Sequence, residues 1–196
     1  MVCNDLTIAN QMLSDWHESC PPEREFRRVG ASAYFVRMQI AHFSEGFKVL
    51  EAIRKTPYLE SLVRWCNQHT QDAFDLLQHG SVRGKVESIA TRIRNKATFH
   101  YFDNADGKAL IDWAIADRAT RQDARSSTVT RGSHCYLWYF KPADDVIDSI
   151  VVRKILNVPR TAVTRKAVDE ATAEINEYTM KFLDFAGELI WRYVGQ

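Results

Sequence analysis

Apolar residues recur at helical spacing through most of this chain. Val36, Ile40, Phe43, Phe47 and Leu50 step by four and three, the pattern of one face of an α-helix. It predicts a helix over about residues 30 to 55. Phe35, Met38 and Val49 widen the apolar face, so this helix is expected to be largely buried. Thr56 suits the cap of a next helix, with Pro57 at the first position, where a missing N–H costs nothing. That helix reads through "YLESLVRWCNQHTQDAFDLL" to "HGS" at 79 to 81. Ser81 is placed to cap a third, whose stripe is Val82, Val86, Ile89, Ile93 and Ala97. The next step of that stripe lands on His100.

The segment "FDNADG" breaks the pattern, and "KALIDWAIADRA" reads as a short helix. Residues 126 to 140, "SSTVTRGSHCYLWYF", are instead rich in β-branched and aromatic residues, which predicts a short hairpin turned at "RGS". "KPADDV" restarts a helix, with Pro142 early and Asp144 and Asp145 suited to a helix N-terminus. In the last helix Ala171, Ile175, Tyr178, Phe182, Phe185 and Leu189 again step by four and three. The segment "ATRQDARSSTVTRGS" is expected to be a mobile loop, with Arg118, Arg121, Arg125 and Arg131 in or beside it. The expected fold is an all-α bundle of five or more helices, with a hairpin and loop excursion at about 120 to 141. Long helices with short connections pack antiparallel.

Composition narrows the class. A chain of 196 residues, 45% hydrophobic and 26% charged, suits one compact domain over 1 to 196. No apolar run approaches the roughly 20 residues that span a bilayer, so no membrane association is expected. The start, "MVCNDLTIANQMLSDWHESC", has neither a basic region nor a continuous apolar stretch, so no leader peptide is expected and the cytoplasm is the default. Cys3, Cys20, Cys66 and Cys135 form no Cys-x-x-Cys pair, which fits neither a zinc framework nor a disulfide scaffold. No metal or cofactor is expected.

The net charge of +1 conceals an uneven distribution. Residues 81 to 100 hold Arg83, Lys85, Arg92, Arg94 and Lys96 against Glu87 alone. Residues 167 to 196 hold six acids against Lys181 and Arg192. One explanation is two solvated faces attracting each other within the fold; the other is a phosphate-facing patch around Arg94.

The stretch "RIRNKATFHYFDN", residues 92 to 104, carries the candidate chemistry. Five residues separate Arg94 from His100, and the first of them is Asn95. Metal-independent RNA cleavage needs a base for the ribose 2′-OH, an acid for the leaving 5′ oxygen and a cation for the phosphate. Histidine titrates near neutrality and suits the proton work. Arginine is always charged and offers a fork of donors to phosphate. Six steps along a straight helix rise about 9 Å and leave the two side chains about 120° apart. Either the helix bends before His100 or two motifs meet across a symmetric homodimer.

Arg94 and His100, with polar Asn95 directly after the arginine, resemble the Arg-x4–6-His motif of the HEPN superfamily. The wider string "IRNKATFHYF", the aromatic segment and "KPADDV" resemble an uncharacterised bacterial branch of it. The resemblance implies a small α-helical bundle, commonly dimeric, that acts on RNA without a cofactor. It implies Arg94 and His100 as the catalytic pair and Asn95 as their polar support. It also implies a setting in bacterial defence or a toxin–antitoxin system. Some HEPN domains only bind, so the second expectation is a non-catalytic module for a protein partner, with the aromatic hairpin as binding element.

Other polar groups admit a functional and a structural reading alike. His42 and Glu45 flank the long helix as a base with its orienter, as metal ligands, or as satisfied polar residues. His134 and Cys135 are adjacent, so on a strand they point to opposite faces and form no catalytic pair. Tyr101 suits base stacking or core packing. Glu-x-x-His is absent, as are a P-loop, a dinucleotide fingerprint and a Gly-x-Ser-x-Gly elbow.

Overall fold

The computed structural model describes residues 1–19, 28–98, 105–120, 129–130, 133–134, 139–162 and 165–195. Its helices are α1 (Val2–Ser19), α2 (Arg28–Lys55), α3 (Pro57–Arg64), α4 (Gln68–Gln78), α5 (Gly80–Ile93), α6 (Ala105–Ala119), α7 (Lys141–Ser149) and α8 (Arg165–Val194). Two π-helical turns, Arg94–Thr98 and Ile150–Ile155, extend α5 and α7. Two strands of two residues each, β1 (Val129–Thr130) and β2 (Tyr139–Phe140), pair antiparallel with Val129 opposite Phe140. This is the expected all-α bundle. The expected loop at 119 to 133 and the turn of the hairpin lie largely outside the described residues. Tyr139 is buried and Phe140 exposed, as strand alternation requires.

The centre of the bundle is where α2 meets α8. Ile40, Phe43, Phe47 and Leu50 are buried on α2, and Ile175, Tyr178, Phe182, Phe185 and Leu189 on α8. Both stripes therefore fall where their spacing puts them. Phe43 packs at 4.7 Å from Phe47 and edge-on at 5.8 Å from Phe182, measured between ring centres. Phe74 of α4 stacks on Phe185 at 5.1 Å. Gly46 eases the close approach: a Cβ there would sit 3.1 Å from the Phe182 ring, tighter than ordinary contact. Val49 departs from the expectation, since it lies beyond the packed stripe and is exposed.

Residues 1–19, whose sequence signalled only the lack of a leader, form α1. Leu6 and Ala9 bury against α2, and Val2 and Cys3 pack at the core's edge. Gln39 of α2 donates a short hydrogen bond to Asn10 of α1.

The helix expected from 57 to 79 is two helices. The break is a tertiary effect. Trp65 and Cys66 tighten the end of α3 by bonding back to Leu62 and Val63, and Asn67 caps α4 by accepting from the Thr70 backbone N–H at 2.9 Å. Glu188 of α8 holds the corner, accepting from the Asn67 N–H at 2.9 Å and from the Thr70 hydroxyl. The Thr70 hydrogen bond, foremost, draws the Glu188 carboxyl below its ordinary range. Thr56 occupies the N-cap of α3, but its hydroxyl donates to the Ala52 carbonyl at 2.9 Å and does not cap. Ser81 is not the cap of α5 either, since the helix already begins at Gly80 behind His79. Asn157, at φ 57°, follows the second π turn; asparagine tolerates the left-handed conformation better than most residues.

The α2–α8 contact is testable. Gly46→Val is expected to lower unfolding free energy by about 1–3 kcal/mol through overpacking against Phe182. Phe182→Ala is expected to cost about 3–5 kcal/mol. Urea denaturation followed by helical circular dichroism reads both.

Candidate functional site

The apolar stripe of α5 carries the chain to Arg94. Val86, Ala90, Ile93 and, in the turn beyond, Ala97 have no exposed surface, so the neighbouring polar positions are held against the bundle. At Arg94 the backbone widens into the π-helical turn that runs to Thr98. Such turns are short departures from α geometry and occur often at functional sites. The Arg94 side chain is pinned from two directions. Its Nε lies 3.0 Å from Oε1 of Glu45 on α2, and Nη1 donates to Oδ1 of Asn95 at 2.8 Å. The side chain keeps 31% of its surface in solvent. Among the described residues, the remaining terminal nitrogen of Arg94 has no hydrogen-bond partner. Arg94 and Asn95 are thus in contact. His100 and Tyr101 lie outside the described residues.

The sequence pairs Glu45 with His42, but in the fold the two have separate partners. Lys48 donates to both Glu45 oxygens, at 2.8 and 2.9 Å. The Lys48 hydrogen bond, above all, lowers the Glu45 pKa; the charges of Lys48, Arg94 and His42 add to this, and partial burial opposes it. His42 Nδ1 stands 3.8 Å from Oδ2 of Asp5 on α1. A polar strip results, with Asp5, His42, Glu45, Lys48, Arg94 and Asn95 drawn from three elements. At its His42 end opens a groove of about 190 Å³ between α1 and α2, with Ile8, Met12, Tyr34 and Met38 in its lining.

Arg83, Lys85 and Arg92 of the basic run are likewise engaged within the fold. Arg83 bonds Glu87 at 3.2 Å and Gln78 at 2.7 Å. Lys85 reaches Glu174 of α8 at 2.7 Å, which is the attraction between basic and acidic helices that the charge pattern allowed. Arg92 donates to the Lys154 carbonyl in the second π turn at 2.8 Å. Arg118 pairs with Asp145 at 3.3 Å.

The sequence gives no sign of Glu45 beside Arg94 or of Asp5 beside His42, because these partners come from distant parts of the chain. One signal was present: His42, Glu45 and Lys48 are spaced by three, which places them along one flank of α2. A second missed feature is the Arg37–Asp148 pair at 2.8 Å between α2 and α7, with Arg37 only 7% exposed. Burial pushes the Asp148 carboxyl up to about 6; Arg37 opposes this, and Asp144 and Asp145 add to it.

Among the described residues, no three His, Cys, Asp or Glu side chains gather as a metal-ligating set. Cys3 and Cys66 are free, the second buried. Among the described residues, no helix is long and apolar enough to cross a membrane. Comparison with protein-family models, with curated proteins and with solved structures gives no match.

The Asp148 pair has a definite pH signature. The folded chain holds the Asp148 proton up to a pH of about 6, against 3.8 for the ordinary carboxyl. Between those values the folded state binds more protons than the unfolded one, so this group's contribution to stability falls as pH rises. The slope is on the order of 1.4 kcal/mol per pH unit where the difference is complete. Asp148→Asn should remove this slope, as read by subtracting the unfolding free energies of variant and wild type across that range.

Proposed function

We propose that this chain is a metal-independent endoribonuclease of the HEPN type. The observation that carries the reading is the Arg94 guanidinium, pinned by Glu45 and Asn95 at the head of a π-helical turn while a third of its surface stays open. A pre-positioned cation pays no orientation cost when charge develops on a phosphate. Arg94 neutralises the scissile phosphate, Asn95 steadies Arg94, and His100, six residues on, transfers the proton. The role of His100 rests on the motif spacing. The working form is a cytoplasmic homodimer whose two motifs share one cleft, in a bacterial defence or toxin–antitoxin setting.

A second reading has its own support. Ile190, Trp191, Tyr193 and Val194 at the end of α8 are all more than half exposed, and contiguous exposed apolar surface marks interaction sites. A non-catalytic binding module for a protein partner would present such a surface.

The two readings separate in one assay with single-stranded RNA in EDTA. The nuclease reading expects cleavage by wild type, with Arg94→Ala reducing it about 10²–10³-fold and His100→Ala about 10²–10⁴-fold. All three proteins should give the same helical circular dichroism, and DNA, which lacks the 2′-OH, should stay intact. Cleavage lost to EDTA would rule out this mechanism, and no cleavage at all would favour the binding module.

A further inference from the structure

α8 carries two stripes at helical spacing. The inner one, from Ile175 to Leu189, closes the core on α2. The outer one is Asn176, Met180, Leu183, Gly187, Ile190 and Val194, stepping by four and three. That is the heptad spacing with which one helix meets another. At about 100° per residue, it lies well round the helix from the inner stripe. Met180, Ile190 and Val194 are all more than half exposed, and Leu183 is half-buried at the edge of the core. Gly187 sits in the middle of this stripe. Glycine weakens a helix interior because it loses the most conformational freedom on folding. At Gly46 the Phe182 ring accounts for the glycine, but a Cβ on Gly187 would meet nothing within 4 Å. The bare backbone leaves room for a second helix to come close there.

One edge of the outer stripe is acidic. Glu170, Glu177 and Asp184 recur every seven residues, and Trp191 takes the next place. Glu170 and Glu177 keep most of their side-chain surface in solvent, and Trp191 is 77% exposed. Lys166 stands 3.8 Å from Glu170 and Lys181 3.7 Å from Glu177, loose surface pairs of little energy. The opposite edge holds Thr179, Ala186 and Tyr193, and no charge. Residues at these edges select the partner of a helix in such a pair. A second copy of α8 laid antiparallel would set acid against acid. Laid parallel, it would set the acids against the uncharged edge. Lysine or arginine on a different helix answers them.

We propose that the outer face of α8 docks an amphipathic helix of another protein, with lysine or arginine flanking its apolar stripe. The inference deepens the binding reading, on whose exposed residues it rests, and holds whether or not the chain also cleaves RNA. It extends that surface back along α8 to Asn176 and gives the partner its chemistry. The partner's apolar side chains pack against Met180, Leu183, Ile190 and Val194. Its backbone comes closest at Gly187, its cations meet Glu177 and Asp184, and Trp191 covers the edge beyond them.

The test uses the full chain and three synthetic peptides of about 21 residues, or three heptads. One has leucine along the seam and lysine on both edges. The second has glutamate in place of the lysines, and the third is a scramble of the first. Binding is read by fluorescence anisotropy of the labelled peptide at about 0.15 M salt. Wild type is expected to bind the lysine peptide at least about tenfold tighter than either control. Ile190→Glu is expected to weaken that binding about tenfold or more. Glu177→Lys combined with Asp184→Lys is expected to turn the preference toward the glutamate peptide. Circular dichroism checks that each variant keeps its helices, and Met180→Glu replaces Ile190→Glu should the latter lose them. Equal binding of the lysine and scrambled peptides, or wild-type affinity in Ile190→Glu, overturns the proposal. So does a preference that charge reversal leaves unmoved. Light scattering addresses the other occupant: a wild-type dimer that Ile190→Glu makes monomeric puts a second copy on this face and also overturns it. Such failures remove this surface and not the binding reading, which the RNA assay decides.

Discussion

The approach of α2 to α8 at Gly46 governs the rest of the molecule, because the candidate chemistry sits on the same stretch of helix. A Cβ at Gly46 would press on the Phe182 ring, so the bare backbone there eases the closing of Phe43, Phe47 and Phe182 into one cluster. The rotation of α2 about its axis is fixed by that cluster. Once it is fixed, His42, Glu45 and Lys48 have no choice of direction. They fall on the flank, where α1 approaches from one side and the π turn after α5 from the other. Packing in the dry interior thus orients polar groups at the wet edge.

At that edge the electrostatics are local and balanced. Glu45 stands between two cations, Lys48 and Arg94, and Asp5 faces His42. The remaining charges of α5 have partners within the helix, as Arg83 with Glu87, or in other elements, as Lys85 with Glu174 and Arg92 with the Lys154 carbonyl. A chain of net charge +1 can still hold one concentrated cation where the backbone geometry changes. Arg94 is such a cation, and its partners hold it without covering it.

Much of this was legible in the order of residues. Phe43, Phe47, Phe182 and Phe185 announce their helices because amphipathic spacing is a local property. Asn95 beside Arg94 was legible for the same reason. The corner at Asn67 was not, since it depends on Glu188, more than a hundred residues away. Thr56 and Ser81 had the right chemistry for caps, yet the Thr56 hydroxyl found the Ala52 carbonyl and α5 started before Ser81. The Arg94–Glu45 contact was hidden in the same way, because pairing between distant helices leaves no period to read. The α1 stripe of Val2, Leu6, Ala9 and Leu13 does have that period, but it is thin and diluted by the polar residues between.

The two π-helical turns also change how the chain counts. Each closes its hydrogen bonds one residue later than an α-helix does. Like a screw thread with a fault, each turn slips by up to one residue, about 100° of rotation. The end of α5 lies against the second of them, since Arg92 donates to the Lys154 carbonyl. A single-residue deletion between Arg94 and Thr98 would restore a regular thread, yet it would turn the residues of that turn beyond the deletion to a new bearing. Such a chain could keep its composition, its charge and its hydrophobic stripe up to Ile93, and lose only the aim of the residues beyond.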